Sequence, residues 1–85
     1  MITTLYVGNL PWSVTEVELY NCFAAHGKVK GARVIVDRMT GRSRGFGFVE
    51  VAQEDAAKVI ETLNGSMLGG RAITVNEAQP RQQRV

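Results

Sequence analysis

The sequence has only one cysteine, Cys22, and one histidine, His26. A single cysteine cannot form an internal disulfide, so a disulfide-stapled exported domain is not expected. The two residues also cannot supply the ligand set of a Cys/His metal centre. We therefore expect neither a metal nor another cofactor, and we interpret Cys22 as a small core residue on a helix.

Long hydrophobic runs are absent too: no apolar stretch approaches the roughly 20 residues that a membrane-spanning helix needs. The first residues have neither the basic start nor the apolar stretch of a signal peptide. On these grounds we expect no membrane association and a cytoplasmic location, with a nuclear location left open for a eukaryotic source. With 85 residues, the chain can form one small domain, without the cleft between two lobes in which many cofactor enzymes act. We therefore expect a monomer without a small-molecule substrate.

Acidic residues are scarce in the middle of the chain. Residues 28–44 contain six basic side chains and one acidic one, Asp37. Residues 50–61 show the reverse, with four acidic side chains and one basic one, Lys58. This segregation indicates one positive face and a polyanionic partner, although charge that only keeps the protein soluble would give the same pattern.

Hydrophobic periodicity predicts two helices. Thr15 and Glu18 have the spacing of a capping box, which starts a helix at Glu16. Gly27 ends this helix, at about residue 25 or 26. A second helix is predicted over 54–63, with acidic residues at its positive end. Four strands complete the pattern, at Leu5–Val7, Ala32–Asp37, Arg44–Val51 and Ala72–Asn76. The order β-α-β-β-α-β is that of the ferredoxin-like α+β sandwich, a four-stranded antiparallel sheet with two helices on one face.

The third predicted strand shows which face of the sheet stays open. Because side chains alternate along a strand, Phe46 and Phe48 share one face with Arg44 and Glu50. Burying that face would bury two charges at a large cost in free energy, so we expect both phenylalanines on the open face. The same alternation places further side chains there, namely Tyr6, Arg33, Ile35, Thr74 and Asn76. It assigns to the core Leu5, Val7, Ala32, Val34, Val36, Ile73 and Val75.

Aromatic rings on an open sheet beside arginines indicate nucleic-acid binding. Stacking of a base on an aromatic ring stabilises a complex by about 1–3 kcal/mol, and guanidinium groups neutralise phosphates. A covered face is the alternative, but residues 79–85 form a short, polar, basic tail that would cover it poorly.

Two motifs give the sequence a family resemblance. Residues 44–51, Arg-Gly-Phe-Gly-Phe-Val-Glu-Val, are similar to the RNP1 octamer of the RNA recognition motif family. Residues 5–10, Leu-Tyr-Val-Gly-Asn-Leu, are similar to its RNP2 hexamer. The resemblance covers roughly residues 3–78, so we assign a domain to 1–78 and a tail to 79–85. The chain also resembles the small RNA-binding proteins of bacteria, including cyanobacteria, and the domain of glycine-rich cold-induced RNA-binding proteins.

The resemblance implies a role for each matching residue. Tyr6 and Phe48 would stack on bases, Phe46 would lie against a sugar or between nucleotides, and Arg44 would contact a phosphate. The rest of the binding platform would be formed by Arg42, Arg33, Ile35, Thr74 and Asn76. The implied function is non-catalytic binding of single-stranded RNA, with single-stranded DNA as a second candidate ligand.

Two other functions fit the same fold. The first is a protein–protein interaction module, but members of that kind tend to lose the exposed aromatic residues. The second is an enzyme such as an acylphosphatase, which needs an arginine in the loop after the first strand. The loop from Gly8 to Thr15 contains neither arginine nor lysine. We interpret Trp12 in this loop as packing against the edge of the fold, and Asn9 either as a family loop residue or as a turn former.

Overall fold

The computed structural model describes residues 1–41 and 43–78, with the backbone alone for Ser43 and Arg44. Arg42 and the tail 79–85 lie outside the described residues. The elements in chain order are β1 Ile2–Gly8, α1 Glu16–Ala24, β2 Val29–Val36, β3 Ser43–Ala52, α2 Gln53–Leu63, β4 Met67–Leu68, β5 Arg71–Ala72 and β6 Thr74–Glu77.

Four strands form the main sheet, in the order β2-β3-β1-β6, and every neighbouring pair is antiparallel. Strand β1 lies at the centre because it pairs with both β3 and β6. The helices contact the sheet from one side, α1 mainly through β2 and α2 through β6, β1 and β3. The predicted ferredoxin-like α+β fold is thus confirmed.

The core lies between the helices and one face of the sheet. Alternate residues of the central strands point into it, as the period of two requires. Helical residues at i, i+3 and i+4 spacing meet them, including Leu19 and Phe23 of α1, both without exposed surface. The other buried side chains of the core are Leu5, Val7, Leu10, Val14, Val34, Val49, Val51, Ala56, Val59, Leu63, Ile73 and Val75. No buried side chain among the described residues is polar or charged.

Side-chain hydrogen bonds define the start of α1. The Thr15 Oγ1 atom accepts a hydrogen bond from the Glu18 backbone N–H at 3.2 Å, and the Glu18 carboxylate accepts one from the Thr15 N–H at 3.1 Å. The predicted capping box is confirmed. Helix α2 has no such cap, and its Asp55 carboxylate accepts instead from the backbone N–H of Lys28 at 3.0 Å. That bond ties the first turn of α2 to the segment that leads into β2.

The C-terminal end of β2 differs from the prediction. Val36 is 51% exposed, although the alternation assigned it to the core. The pairing of β2 with β3 shifts register between Val34 and Val36, so the simple alternation of faces fails at this point. Strand β2 also begins at Val29, earlier than predicted.

Each outer strand of the sheet is bonded to a side chain from a helix or its end. The Glu16 carboxylate of α1 accepts a hydrogen bond from the Val34 N–H of β2 at 3.1 Å. On the opposite edge, the Asn64 side-chain oxygen, just after α2, accepts from the Val75 N–H of β6 at 3.0 Å. Both bonds satisfy amides that the pairing within the sheet leaves open.

A small hairpin interrupts the predicted fourth strand. Ala72 belongs to β5, which pairs with β4, and the sheet strand itself begins at Thr74. The turn between β4 and β5 is formed by Gly69 and Gly70, with φ values of 61° and 89°. Positive φ at both turn positions is the geometry that favours glycine in a two-residue hairpin loop.

Candidate nucleic-acid interface

The open face of the sheet is organised in rows that run across the strands. In one row Arg33 of β2 pairs with Phe48 of β3, which pairs with Tyr6 of β1, which pairs with Asn76 of β6. Aromatic residues thus occupy the two central strands, and polar residues occupy the two outer ones.

The neighbouring row carries one aromatic residue, on β3. Phe46 of β3 pairs with Gly8 of β1, which pairs with Thr74 of β6. Thr74 is exposed, while Ile35 of β2 is half-buried. The pairing therefore brings the described platform residues of both rows onto one surface, except Ile35, which lies at the register shift between Val34 and Val36 and has no partner in the pairing.

Tyr6, Phe46 and Phe48 form one aromatic cluster. The ring centroids of Tyr6 and Phe46 are 5.9 Å apart, with the planes inclined by 29°. Phe48 stands edge-on to both rings, at 6.1 Å from Tyr6 and 6.0 Å from Phe46. All three side chains are half-buried, although they lie on the face away from the helices. The rings shelter one another, which leaves a continuous aromatic patch open to a ligand.

Two glycines shape this patch. A Cβ atom on Gly8 would lie 2.9 Å from Cε1 and the hydroxyl oxygen of Tyr6, so the Tyr6 ring leans along β1 over Gly8. A Cβ atom on Gly47 would lie 2.2 Å from the carbonyl oxygen of Arg33. Strands β2 and β3 can approach this closely only because Gly47 has no side chain, and the approach holds Arg33 beside Phe48.

The basic residues are only partly described. Arg33 is exposed at the β2 end of its row. The backbone of Arg44 lies in β3, while its side chain and the whole of Arg42 lie outside the described residues. The phosphate contact of Arg44 and the places of Arg33 and Arg42 in the binding platform remain predictions.

Asn9 makes a contact that sequence reasoning did not find. Its backbone has a φ of 58°, as expected of a turn-forming asparagine. In addition, its side-chain amide donates to the carbonyl oxygen of Ala72 at 2.7 Å, and its side-chain oxygen accepts from the Arg71 guanidinium at 2.6 Å. Asn9 therefore ties the end of β1 to the β4–β5 hairpin and fixes the position of Arg71. These residues are more than 60 positions apart, so no local signal could have revealed the contact.

Trp12 is more exposed than its expected packing against the edge of the fold implies. Its side chain is 68% exposed and borders a shallow groove with Val14, Val36 and Gly41. Pro11 takes the packing position instead, because it is buried against the hairpin turn at Gly69. The apolar anchor of this loop is thus the residue next to the one that we predicted.

No three histidine, cysteine, aspartate or glutamate side chains in residues 1–41 and 43–78 lie close enough together to hold a metal ion. Burial raises the pKa of the Cys22 thiol, which favours the neutral thiol over the nucleophilic thiolate.

Neither helix in the described part of the chain has the length and apolar character to cross a membrane.

Comparison with known proteins supplies the family. Residues 5–74 match the family described as the RNA recognition motif. The chain is 54% identical over 81 residues to the RNA-binding protein CP31B, chloroplastic, of Arabidopsis thaliana. The matched region covers 94% of this chain and 28% of that protein. It is 50% identical over 78 residues to the glycine-rich RNA-binding protein blt801 of Hordeum vulgare, which covers 91% of this chain and 48% of that protein. The chain thus spans less than half of the length of either relative.

Two solved structures of the same fold support this family assignment. The crystal structure of RNA binding protein PG1 superposes with a TM-score of 0.86 at 47% identity, covering 94% of this chain and 98% of that one. The Sxl-lethal protein in its RNA complex superposes with a TM-score of 0.82 at 34% identity, covering 89% of this chain and 47% of that one.

The expectation of a cytoplasmic location is wrong on this comparison. Relatives from Arabidopsis thaliana, Nicotiana sylvestris and Spinacia oleracea, 48–54% identical to this chain, are named as chloroplastic proteins. This chain spans 24–35% of the length of those proteins. Targeting segments direct a protein to its compartment, so the pattern that encodes a folded domain could not decide the location.

The fold, the aromatic cluster on the open sheet and the match over most of the sequence agree with one another. The chain belongs to the RNA recognition motif family of RNA-binding proteins.

Proposed function

We propose that the open face binds single-stranded RNA without catalysis, by stacking bases on Tyr6 and Phe48 and placing Phe46 against the sugars. The observation that carries this proposal is the aromatic cluster, whose rings lie 5.9 to 6.1 Å apart on the face that the helices leave uncovered. Exposed aromatic area of this kind needs a ligand with flat apolar faces, and every nucleobase has one. Single-stranded DNA is a second candidate ligand, because stacking does not distinguish the two sugars.

The charges beside the cluster support a polyanionic ligand. Arg33 stands at the end of the Tyr6–Phe48 row and forms no ion pair with any described residue. The resemblance adds Arg44 as a phosphate contact, and Arg42 is a further basic residue of the predicted platform. Helix α1, whose first turn carries Glu16 and Glu18, is packed on the other side of the sheet. A strand that crosses the open face therefore meets basic groups and stays away from these acidic ones.

A comparison of strand forms tests the proposal. One RNA octamer of mixed pyrimidines and purines is titrated as a single strand and again after annealing to its complement, at fixed salt. We expect the single strand to bind well and the duplex poorly, because opening a base step costs a few kcal/mol, comparable to the gain from one or two stacking contacts. Equal affinity for both forms would indicate a binder of phosphates alone. Absence of binding to either form would favour a protein-interaction module instead.

A further inference from the structure

The open face contains a recess beside the aromatic cluster. It has a volume of about 420 Å³ and is lined by Thr4, Gly31, Ala32, Arg33, Phe48 and Glu50. Gly31 leaves this part of β2 without a side chain, and Phe48 forms one wall. Such a space suits a flat ring that lies on Phe48.

Glu50 places a carboxylate in this recess. It lies on the same face as Phe48, two residues further along β3, and pairs with Thr4 of β1 and Gly31 of β2. Its Oε1 atom is 3.5 Å from the position that a Cβ atom on Gly31 would take, so the side chain leans over β2. The side chain is exposed, and among the described residues no hydrogen bond or ion pair engages it.

A free carboxylate is unexpected on a surface that attracts phosphates, because it repels them. An ionised carboxylate can only accept hydrogen bonds, so it favours a ligand edge that carries N–H donors. Guanine presents two adjacent donors, N1–H and the N2 amino group, which match the two carboxylate oxygens. Uracil presents one N–H between two carbonyl oxygens, which repel the carboxylate. The distance also fits, because residues two positions apart on a strand are separated by about 6.7 Å, roughly the width of a base.

We propose that Glu50 selects guanine at the position stacked on Phe48, by accepting hydrogen bonds from N1–H and N2–H of the base. This inference rests on the proposed function and adds to it the chemical identity of one bound nucleotide. Glu50 then acts as a specificity residue, and the recess over Gly31 holds the Watson–Crick edge of the base, the edge by which proteins commonly recognise unpaired bases.

Three RNA octamers test the inference on the unaltered protein: all uracil, the same strand with one guanine, and the same strand with hypoxanthine in place of guanine. We expect the guanine strand to bind about 5- to 150-fold more tightly than the uracil strand, the range of one good bidentate base contact. Hypoxanthine lacks the N2 amino group and should fall between the two. Equal binding of all three strands would overturn the inference and leave the proposed function standing. Failure to bind any strand would remove both.

The variant Glu50→Gln tests the residue itself. It keeps the size of the side chain but replaces one acceptor oxygen by a donor, so we expect most of the preference for guanine over uracil to disappear. If Glu50 acts only as a negative charge, the variant will instead bind every strand more tightly and keep the ratio. Glu61→Gln is the matched control, because it removes an exposed charge on α2, on the other side of the sheet. Its ratio should equal that of the wild type.

Discussion

Replacement of Phe48 by alanine separates the two roles that a phenylalanine can have in this domain. A phenylalanine in the core stabilises the fold, and its loss costs about 3–5 kcal/mol of unfolding free energy. Phe48 is half-buried, on the face away from the helices, and its partners are the two other rings of the cluster. Its removal should therefore cost far less stability and should act mainly on RNA binding.

The magnitudes follow from these contacts. The variant loses two edge-on ring contacts, each of which contributes about 0.5–1.5 kcal/mol beyond the buried area. The two contacts together are worth about 1–3 kcal/mol, so we expect a loss of unfolding free energy in that range, below the value for a buried phenylalanine. The loss of one stacked base should weaken RNA binding by about 1–3 kcal/mol, or roughly 5- to 150-fold.

The assay combines urea unfolding with titration of a labelled single-stranded octamer. Phe23→Ala is the control, because Phe23 of α1 is completely buried and belongs to the hydrophobic core. It should lose several kcal/mol of stability, whereas Phe48→Ala should remain folded and bind poorly. The reasoning would be refuted if Phe48→Ala unfolded as easily as Phe23→Ala, or if it bound RNA as tightly as the wild type.

Two further predictions concern charge and packing. A few bases on one sheet imply about two to four phosphate contacts, so log affinity should fall against log salt with a slope of about −1.5 to −3. Arg44→Ala should make the slope shallower by about 0.7, whereas Lys58→Ala on α2 should leave it unchanged, and equal slopes for both variants would contradict the phosphate role. Gly47→Ala should lose about 1–3 kcal/mol of stability or more in urea unfolding, because the new Cβ atom would lie 2.2 Å from a backbone oxygen of β2. Gly31→Ala, with its nearest neighbour at 3.5 Å, should lose much less, and equal losses would show that β2 can move away.

The sequence alone predicted the features that depend on residues close together in the chain and on a large energetic preference. Arg44 and Glu50 flank the two phenylalanines of β3, and burial of two charges is so unfavourable that the open face could be assigned before the fold was known. The capping box at Thr15 was equally clear, because its two hydrogen bonds depend on residues only three positions apart.

The remaining features depend on contacts between distant parts of the chain. The exposure of Val36 results from a register shift between two strands, which alternation within one strand cannot show. The role of Asn9 depends on a hairpin more than 60 residues away. Trp12 and Pro11 are neighbours, and only the position of Gly69 decides that the proline is the one buried.

The two hydrogen bonds at the outer strands affect how copies of this protein behave at high concentration. An unpaired strand edge is a template on which another polypeptide can add a strand, and such growth leads to aggregation. The Glu16 carboxylate accepts a hydrogen bond from a backbone N–H of β2, and the Asn64 side-chain oxygen accepts one from a backbone N–H of β6. A foreign strand would need these two N–H groups. An incoming chain must break a bond that the fold already has before it gains one. The helices thus hinder lateral polymerisation of the sheet while leaving its broad open surface free for contact.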